Sequence, residues 1–173
     1  DACAAPGGKS SQIAACMQNA GKLLCTDSNA KRLPRLEENL QRLGVSHSTT
    51  EECDWCQPAP EHFHNRFDGI LLDVPCSNTG VLRRRIDARW RLKPQDITDL
   101  ARIQMSILEN AVPCLKAGGR IVYSTCSIDP EENTDLIHKF LENHAEFTLQ
   151  EEFQALPHEH QTDGAYAAVI VLK

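Results

Sequence analysis

Short apolar runs of strand length alternate along this chain with segments whose apolar residues recur at helical spacing, and that alternation constrains the fold more than any other feature. Lys22 to Asp27 (KLLCTD) reads as a strand, and Leu33, Leu36, Leu40 and Leu43 form a helical stripe closed by Gly44. Pro34 predicts a late start or a distorted first turn for that helix. Val45 to Glu51 is a weaker strand, 52–66 an irregular connection, and Phe67 to Asp73 (FDGILLD) a buried strand. Pro94 opens a long helix whose face runs through Ile97, Leu100, Gln104, Ile107, Leu108, Ala111 and Leu115, with Gly118-Gly119 as its stop. Arg120 to Cys126 (RIVYSTC) is a strand. Asp129-Pro130 with Glu132 then signals the start of a helix carrying Leu136, Ile137, Phe140 and Leu141. Strands near Phe147 to Leu149 and Ala165 to Leu172 finish the pattern. Strands and helices in alternation predict an α/β domain with a mostly parallel sheet.

Length and composition agree. At 173 residues with 41% hydrophobic side chains, the chain suits one compact domain with its own core. No apolar run reaches the roughly 18 residues of a membrane span, and no signal segment opens it, so a cytoplasmic protein is expected. Eighteen Lys and Arg against 24 Asp and Glu give a net charge of -6, so contact with nucleic acid needs a local basic patch. Eight cysteines in a chain this large and helix-patterned read as reduced thiols. Asp1 looks like the tail of a strand, which suggests a fragment with a truncated first strand.

The opening DACAAPGGKS sets a Pro-Gly-Gly turn between a strand end and a helix, where Gly7 and Gly8 allow close backbone approach to a ligand. A phosphate-binding P-loop fails because its first glycine would fall at Cys3. A nucleoside cofactor fits better. Asp27, at the end of the next strand, is placed to accept hydrogen bonds from ribose hydroxyls, as for NAD or S-adenosylmethionine, and the missing GxGxxG weakens NAD.

Asp73-Val74-Pro75-Cys76-Ser77 leaves one strand and Ser124-Thr125-Cys126-Ser127 another, so two thiols stand at carboxyl ends of strands, where open α/β sheets gather their chemistry. Together with DACAAPGGKS, the segment around Asp27 and Arg32, FDGILLDVPCSNTGVLRRRIDARW, LKAGGRIVYSTCSIDPEEN and DGAYAAVIVLK, these residues resemble the NOL1/NOP2/Sun family of RNA cytosine-C5 methyltransferases. The arginine-rich stretch after the PCS turn looks most like the bacterial Sun/RsmB type, which modifies 16S ribosomal RNA.

The resemblance implies a Rossmann-like class I S-adenosylmethionine-dependent methyltransferase fold with a seven-stranded sheet and helices on both faces. Residues 1–173 would be the catalytic domain, without the family's N-terminal RNA-binding region. It implies Cys126 as nucleophile at cytosine C6, Cys76 as the second thiol for proton removal and product release, and Asp73 at the cytosine edge. The following helix terminus and nearby arginines would assist ionisation of Cys126. For the cofactor it implies a loop of Cys3, Ala4, Ala5, Pro6, Gly7, Gly8 and Lys9, with Asp27 on the ribose, Asp54 on the adenine, Arg32 in support and Asp73 alongside. Cys53 stands where relatives carry Gly.

Arg83, Arg84, Arg85, Arg89, Arg91 and Lys93 face a single Asp87 between them, and Trp90 adds an aromatic surface for base stacking or inward packing. Beside a candidate catalytic thiol on an acidic chain, this reads as an RNA contact rather than a plain solvated face. Cys53-x-x-Cys56 with His62 and His64 matches neither a common zinc spacing nor a thioredoxin motif, so no metal is expected. The leading expectation is methyl transfer to a cytidine of 16S ribosomal RNA before full subunit assembly, by a monomer. Its alternatives are transfer RNA or another RNA as substrate, a nicotinamide oxidoreductase, and a non-catalytic RNA-binding module.

Overall fold

A computed structural model describes residues 1–18 and 20–173 of the chain. In order the elements are α1 (Gly8–Cys16), β1 (Leu23–Asp27), α2 (Leu33–Arg42), β2 (Ser48–Glu52), β3 (Phe67–Asp73), α3 (Ile86–Arg91), α4 (Pro94–Ala111), β4 (Leu115–Thr125), α5 (Thr134–Asn143), β5 (Phe147–Ala155), α6 (Pro157–His160) and β6 (Ala165–Leu172). β1 pairs with β2 in parallel, and a four-stranded sheet runs β3-β4-β6-β5, with β3 and β4 parallel and β6 antiparallel to both neighbours.

Residues 1–4 join the two sheets. Thr26 N donates to Asp1 O at 2.8 Å and Ala4 N to Thr26 O at 2.8 Å on one side, while Ala2 N donates to Leu71 O at 2.9 Å on the other. The segment advances in the same direction as β1, so it occupies the position of a further parallel strand. The order across the whole layer becomes β2-β1-(1–4)-β3-β4-β6-β5, with β6 alone reversed. This is the expected seven-position sheet with a short first strand.

Helices cover both faces. Leu23 and Cys25 of β1 pack with Ala14 of α1 and with Leu36 and Leu40 of α2. Leu24, pointing the opposite way by the period of a strand, joins the larger core built on Ile70, Leu72, Ile121, Tyr123, Ile107, Leu108, Ile137 and Phe140. α1 and α2 therefore lie on one face, and α4 and α5 on the other.

Where boundaries differ from the sequence pattern, the cause is local. A 3-10 turn at Ala30–Arg32 precedes α2, and Pro34 sits in its first turn, the distorted start that a proline there demands. Leu43 falls on the C-cap and is 52% exposed, so the buried stripe ends at Leu40. α4 stops at Ala111 because Pro113 follows within a 3-10 turn, and Leu115 already begins β4. Gly118-Gly119 consequently lies inside β4, across from a register shift between Phe67 and Gly69, and stops no helix. Asp129-Pro130 starts a 3-10 turn rather than α5, whose N-cap is Asn133. β2 begins at Ser48, and β5 continues to Ala155, well past Leu149.

Leu36 is fully buried between α2 and β1. Its truncation to Ala should cost about 2–5 kcal/mol of unfolding free energy, read from the midpoint shift in chemical denaturation.

Candidate active site

The loop from Cys3 to Lys9 lies across the carboxyl ends of β1 and β3. Gly7 holds φ +103° at the N-cap of α1, and a Cβ there would meet Leu36 Cδ1 at 2.8 Å, so both conformation and space require glycine. Gly8 differs: a Cβ on it would meet nothing within 4 Å, so the chain's own packing does not explain it. No side chain caps the first-turn amides of α1.

Asp27 is 3% exposed, and its carboxylate organises this loop. It accepts from Ala5 N at 3.2 Å and Asn29 N at 3.0 Å, and pairs with Arg32 Nη1 at 3.2 Å. The other Arg32 nitrogen, Nη2, donates to Ala5 O. Three donors on a group with about four acceptor positions leave one free. Cys53 N donates to Asp27 O at 3.2 Å, which continues the β1–β2 pairing and sets Asp54 just beyond it. Asp54 is exposed and accepts from Cys56 N at 3.0 Å. The Cys3 thiol is pushed up to about 12, first by burial and then by the nearby Asp27, Asp73 and Cys56.

The register that pairs Asp73 with Ser124 sends two loops off adjacent strands side by side. Asp73 accepts from Ser124 Oγ at 3.0 Å and from Lys9 Nζ at 2.7 Å, which ties the cofactor-side loop to the thiol side. Cys76 Sγ lies 3.1 Å from Cys126 Sγ and accepts from Cys126 N at 3.3 Å. As a thiol, Cys126 donates to Asn78 Oδ1 at 3.2 Å. Two thiols this close cannot both ionise readily. Cys126 is the member lowered, chiefly by the hydrogen bond from Cys76 and with help from Lys9, against burial and Asp73. Cys76 is raised by that same hydrogen bond and by burial. The expected arginine and helix-terminus assistance is replaced by a thiol donor and a lysine.

Sequence pattern missed the residues beneath these loops. Glu132, fully buried, accepts from Ser77 N at 2.9 Å and from Gln104 Nε2 at 2.8 Å, and Ser77 Oγ also donates to it. Asp129 accepts from Thr79 Oγ1 at 2.5 Å and Ser127 Oγ at 3.0 Å, joining the two cysteine loops. Gly80 N donates to Cys126 O at 3.0 Å, and Gly164 N to Gly80 O at 2.7 Å. A Cβ on Gly80 would meet Gly164 O at 2.4 Å and Cys126 O at 2.7 Å, a backbone crossing that only glycine fits.

The basic segment forms the turn before α3 and α3 itself. Arg83 Nε and Arg84 Nε both bind Asp163, at 2.5 and 2.6 Å, so these two are anchored rather than free. Arg91 lies 3.7 Å from Asp87, both well exposed. Trp90 is 81% exposed with Arg89 over its ring, so it does not pack inward. His62 pairs with Glu51 at 2.9 Å, and His64 with Ala59 O at 3.3 Å. Among the described residues no group of three or more His, Cys, Asp or Glu gathers as for a metal, and no helix is long and apolar enough to cross a membrane.

Comparison with known proteins meets this geometry. The family model described as 16S rRNA methyltransferase RsmB/F matches residues 1–171. The probable ribosomal RNA small subunit methyltransferase B of Bacillus subtilis is 40% identical over 184 residues, covering 96% of this chain and 41% of that protein. Ribosomal RNA small subunit methyltransferase B of Erwinia tasmaniensis is 43% identical over 178 residues, covering 99% and 41%. The crystal structure of NSun6 from Pyrococcus horikoshii with SFG superposes with a TM-score of 0.89 at 30% identity, over 99% of this chain and 47% of that one. The chain thus spans about two fifths of the length of these curated relatives, and its fold is the Rossmann-like fold of class I methyltransferases.

The thiol pair predicts a reactivity shift. Because the Cys76 S–H stabilises the Cys126 thiolate, Cys126 ionises at lower pH than an ordinary thiol, and Cys76→Ala should move its titration upward. Iodoacetamide labelling followed against pH by peptide mass spectrometry should therefore place the half-maximal rate of Cys126 alkylation at higher pH in Cys76→Ala than in the parent protein.

Proposed function

The chain belongs to the 16S rRNA methyltransferase RsmB/F family, and from that premise we propose that it methylates C5 of a cytidine in 16S ribosomal RNA through a covalent bond from Cys126 to C6. The observation that carries the reading is the thiol pair at 3.1 Å at the carboxyl ends of β3 and β4. C5 of cytosine is a poor nucleophile. Adding the Cys126 thiolate to C6 places an electron pair on C5, which then captures the methyl group. Asp73, reachable at 32% side-chain exposure, hydrogen-bonds the N3/N4 edge and stabilises the adduct.

Cys76 acts second. While Cys126 is a thiolate, the like charge keeps Cys76 protonated; once the sulfur of Cys126 is committed to carbon, that opposition ends and Cys76 can ionise. It then removes the C5 proton. The electron pair re-forms the C5–C6 double bond, the bond from C6 to sulfur breaks, and Cys126 departs as thiolate.

S-adenosylmethionine supplies the electrophilic methyl group when bound. The residues present fit it: open space above Gly8, uncapped amides at the start of α1, and acidic groups at the ends of β1, β2 and β3. The loop of Cys3, Ala4, Ala5, Pro6, Gly7, Gly8 and Lys9 wraps the ligand. Asp27 uses its remaining acceptor position on the ribose, with the half-exposed Arg32 yielding space, and Asp54 takes the adenine amino group. Lys9, from that loop, pairs with Asp73 at 2.7 Å.

RNA meets α3. Trp90 and the side chains of Arg85 and Arg89 are exposed without a carboxylate partner among the described residues, whereas Arg83 and Arg84 share Asp163 through Nε and keep their Nη donors, and Arg91 lies beside Asp87. The substrate is RNA before the subunit closes around it, and the site of action is the cytoplasm.

Cys126→Ala should abolish methylation of unmodified small-subunit ribosomal RNA while S-adenosylhomocysteine binding, followed by calorimetry, stays intact. Cys76→Ala should instead accumulate a denaturation-resistant protein–RNA adduct on a gel; normal turnover in that variant would refute the role given to Cys76. Replacing Arg85 and Arg89 by Ala should weaken RNA binding across sequences and flatten its salt dependence, by about one unit of log–log slope for every phosphate no longer neutralised.

A further inference from the structure

We propose that Gln104 and Glu132 form a clamp whose function is to position Cys76 for release of the methylated base; this rests on the role given to Cys76 above. The two peptide groups that flank Cys76 are both held by this pair. Gln104 Nε2 donates to Pro75 O at 3.0 Å, on the residue before Cys76. Glu132 Oε1 accepts from Ser77 N at 2.9 Å, on the residue after it. The two side chains bind each other at 2.8 Å, so the clamp closes on itself.

Its footing is rigid. Gln104 projects from the middle of α4, and both side chains are fully buried. Tyr123 of β4 donates through its hydroxyl to Glu132 O at 2.7 Å, which fixes the backbone of the acid to the strand that leads to Cys126. Cys76 is therefore set relative to Cys126 through side chains that touch neither thiol. A buried carboxylate is costly to desolvate, and no Lys or Arg among the described residues pairs with this one. Donors from Ser77 and Gln104 offset that cost, and they converge on the turn that carries Cys76. Cys126 touches Cys76 through its amide and sulfur, but it is also held apart from the clamp, its carbonyl by Gly80 N at 3.0 Å and its thiol by Asn78 Oδ1 at 3.2 Å. Loosening the clamp should accordingly impair release more than attack.

The test uses the protein expressed from its complete reading frame, S-adenosylmethionine and unmodified small-subunit ribosomal RNA. Glu132→Met keeps a similar volume but removes both acceptor oxygens, leaving Ser77 N and Gln104 Nε2 without the Oε1 they share. Turnover should fall about a hundredfold, the scale expected when a reacting group is misplaced by about 1 Å. The covalent adduct should accumulate as in Cys76→Ala, while S-adenosylhomocysteine affinity is retained. Gln104→Met, which removes the donor to Pro75 O and Glu132 and leaves Tyr123 its bond to Glu132 O in place of the one to Gln104 Oε1, should give the same adduct and carries the test if Glu132→Met does not fold. Lost turnover in a folded variant without adduct, or with an equal loss of cofactor affinity, would overturn the clamp and leave a general structural role. Absence of adduct in Cys76→Ala itself would overturn the role of Cys76, and the clamp with it.

Discussion

Parallel pairing of β3 with β4, in the register that sets Asp73 opposite Ser124, is the constraint on which the site depends. Two strands running the same way end at the same edge, so the chain leaving each must turn there. Cys76 comes three residues after one end and Cys126 two residues after its partner position, which is why two side chains 50 residues apart meet at 3.1 Å. A slip of one residue would turn every side chain of β4 to the other face and separate the thiols. Large side chains prevent it: Ile121 and Tyr123 are buried on one face of β4 and locked among Leu108, Ile137 and Tyr166.

From that juxtaposition follows the division of labour between the thiols. Among the described residues no base hydrogen-bonds either sulfur, and the cation that helps lower Cys126 is Lys9, itself paired with Asp73. The asymmetry appears once Cys126 carries the charge, because Cys76 can then donate across the 3.1 Å contact while Lys9 favours the thiolate. A pair that sheds one proton easily and holds the second suits a reaction that uses a nucleophile first and a base afterwards. Lys9 extends the same logic, because the loop from Cys3 to Lys9 also carries a positive charge to Asp73, at the end of β3.

How much of this the sequence made legible depends on whether a signal was local. Phe67–Asp73 matched its strand to the residue because an apolar run flanked by polar residues has a single plausible reading. The start of β4 did not: Leu115 continues both the spacing of α4 and the alternation of a strand, and only the backbone stop at Pro113 separates them. The cofactor loop, Asp27, Asp73 and both thiols stood out because each lies at a strand end with a turn signal. Glu132 was read only as a helix-start carboxylate, since burial against α4 and the Ser77 turn is a tertiary fact that no local pattern carries. The same holds for Gly80 and Gly164, far apart in the chain, whose need for glycine emerges only where their backbones cross.

The basic segment shows why counting charges is a poor guide to binding. Six cations near one acid look like a uniform patch in sequence, but Asp163, from the turn before β6, has already taken Arg83 and Arg84. Asp163 immediately precedes Gly164, whose amide holds Gly80, whose amide in turn holds the carbonyl of Cys126. Part of the positive charge thus fixes the rim of the thiol site instead of waiting for phosphate. The exposed pair of Arg91 with Asp87 contributes little to either purpose, as an ion pair in solvent does. What remains for a polyanion is concentrated on Arg85, Arg89 and Lys93 with the exposed ring of Trp90, a surface that offers both charge and a stacking plane on one short helix and its flanking residues.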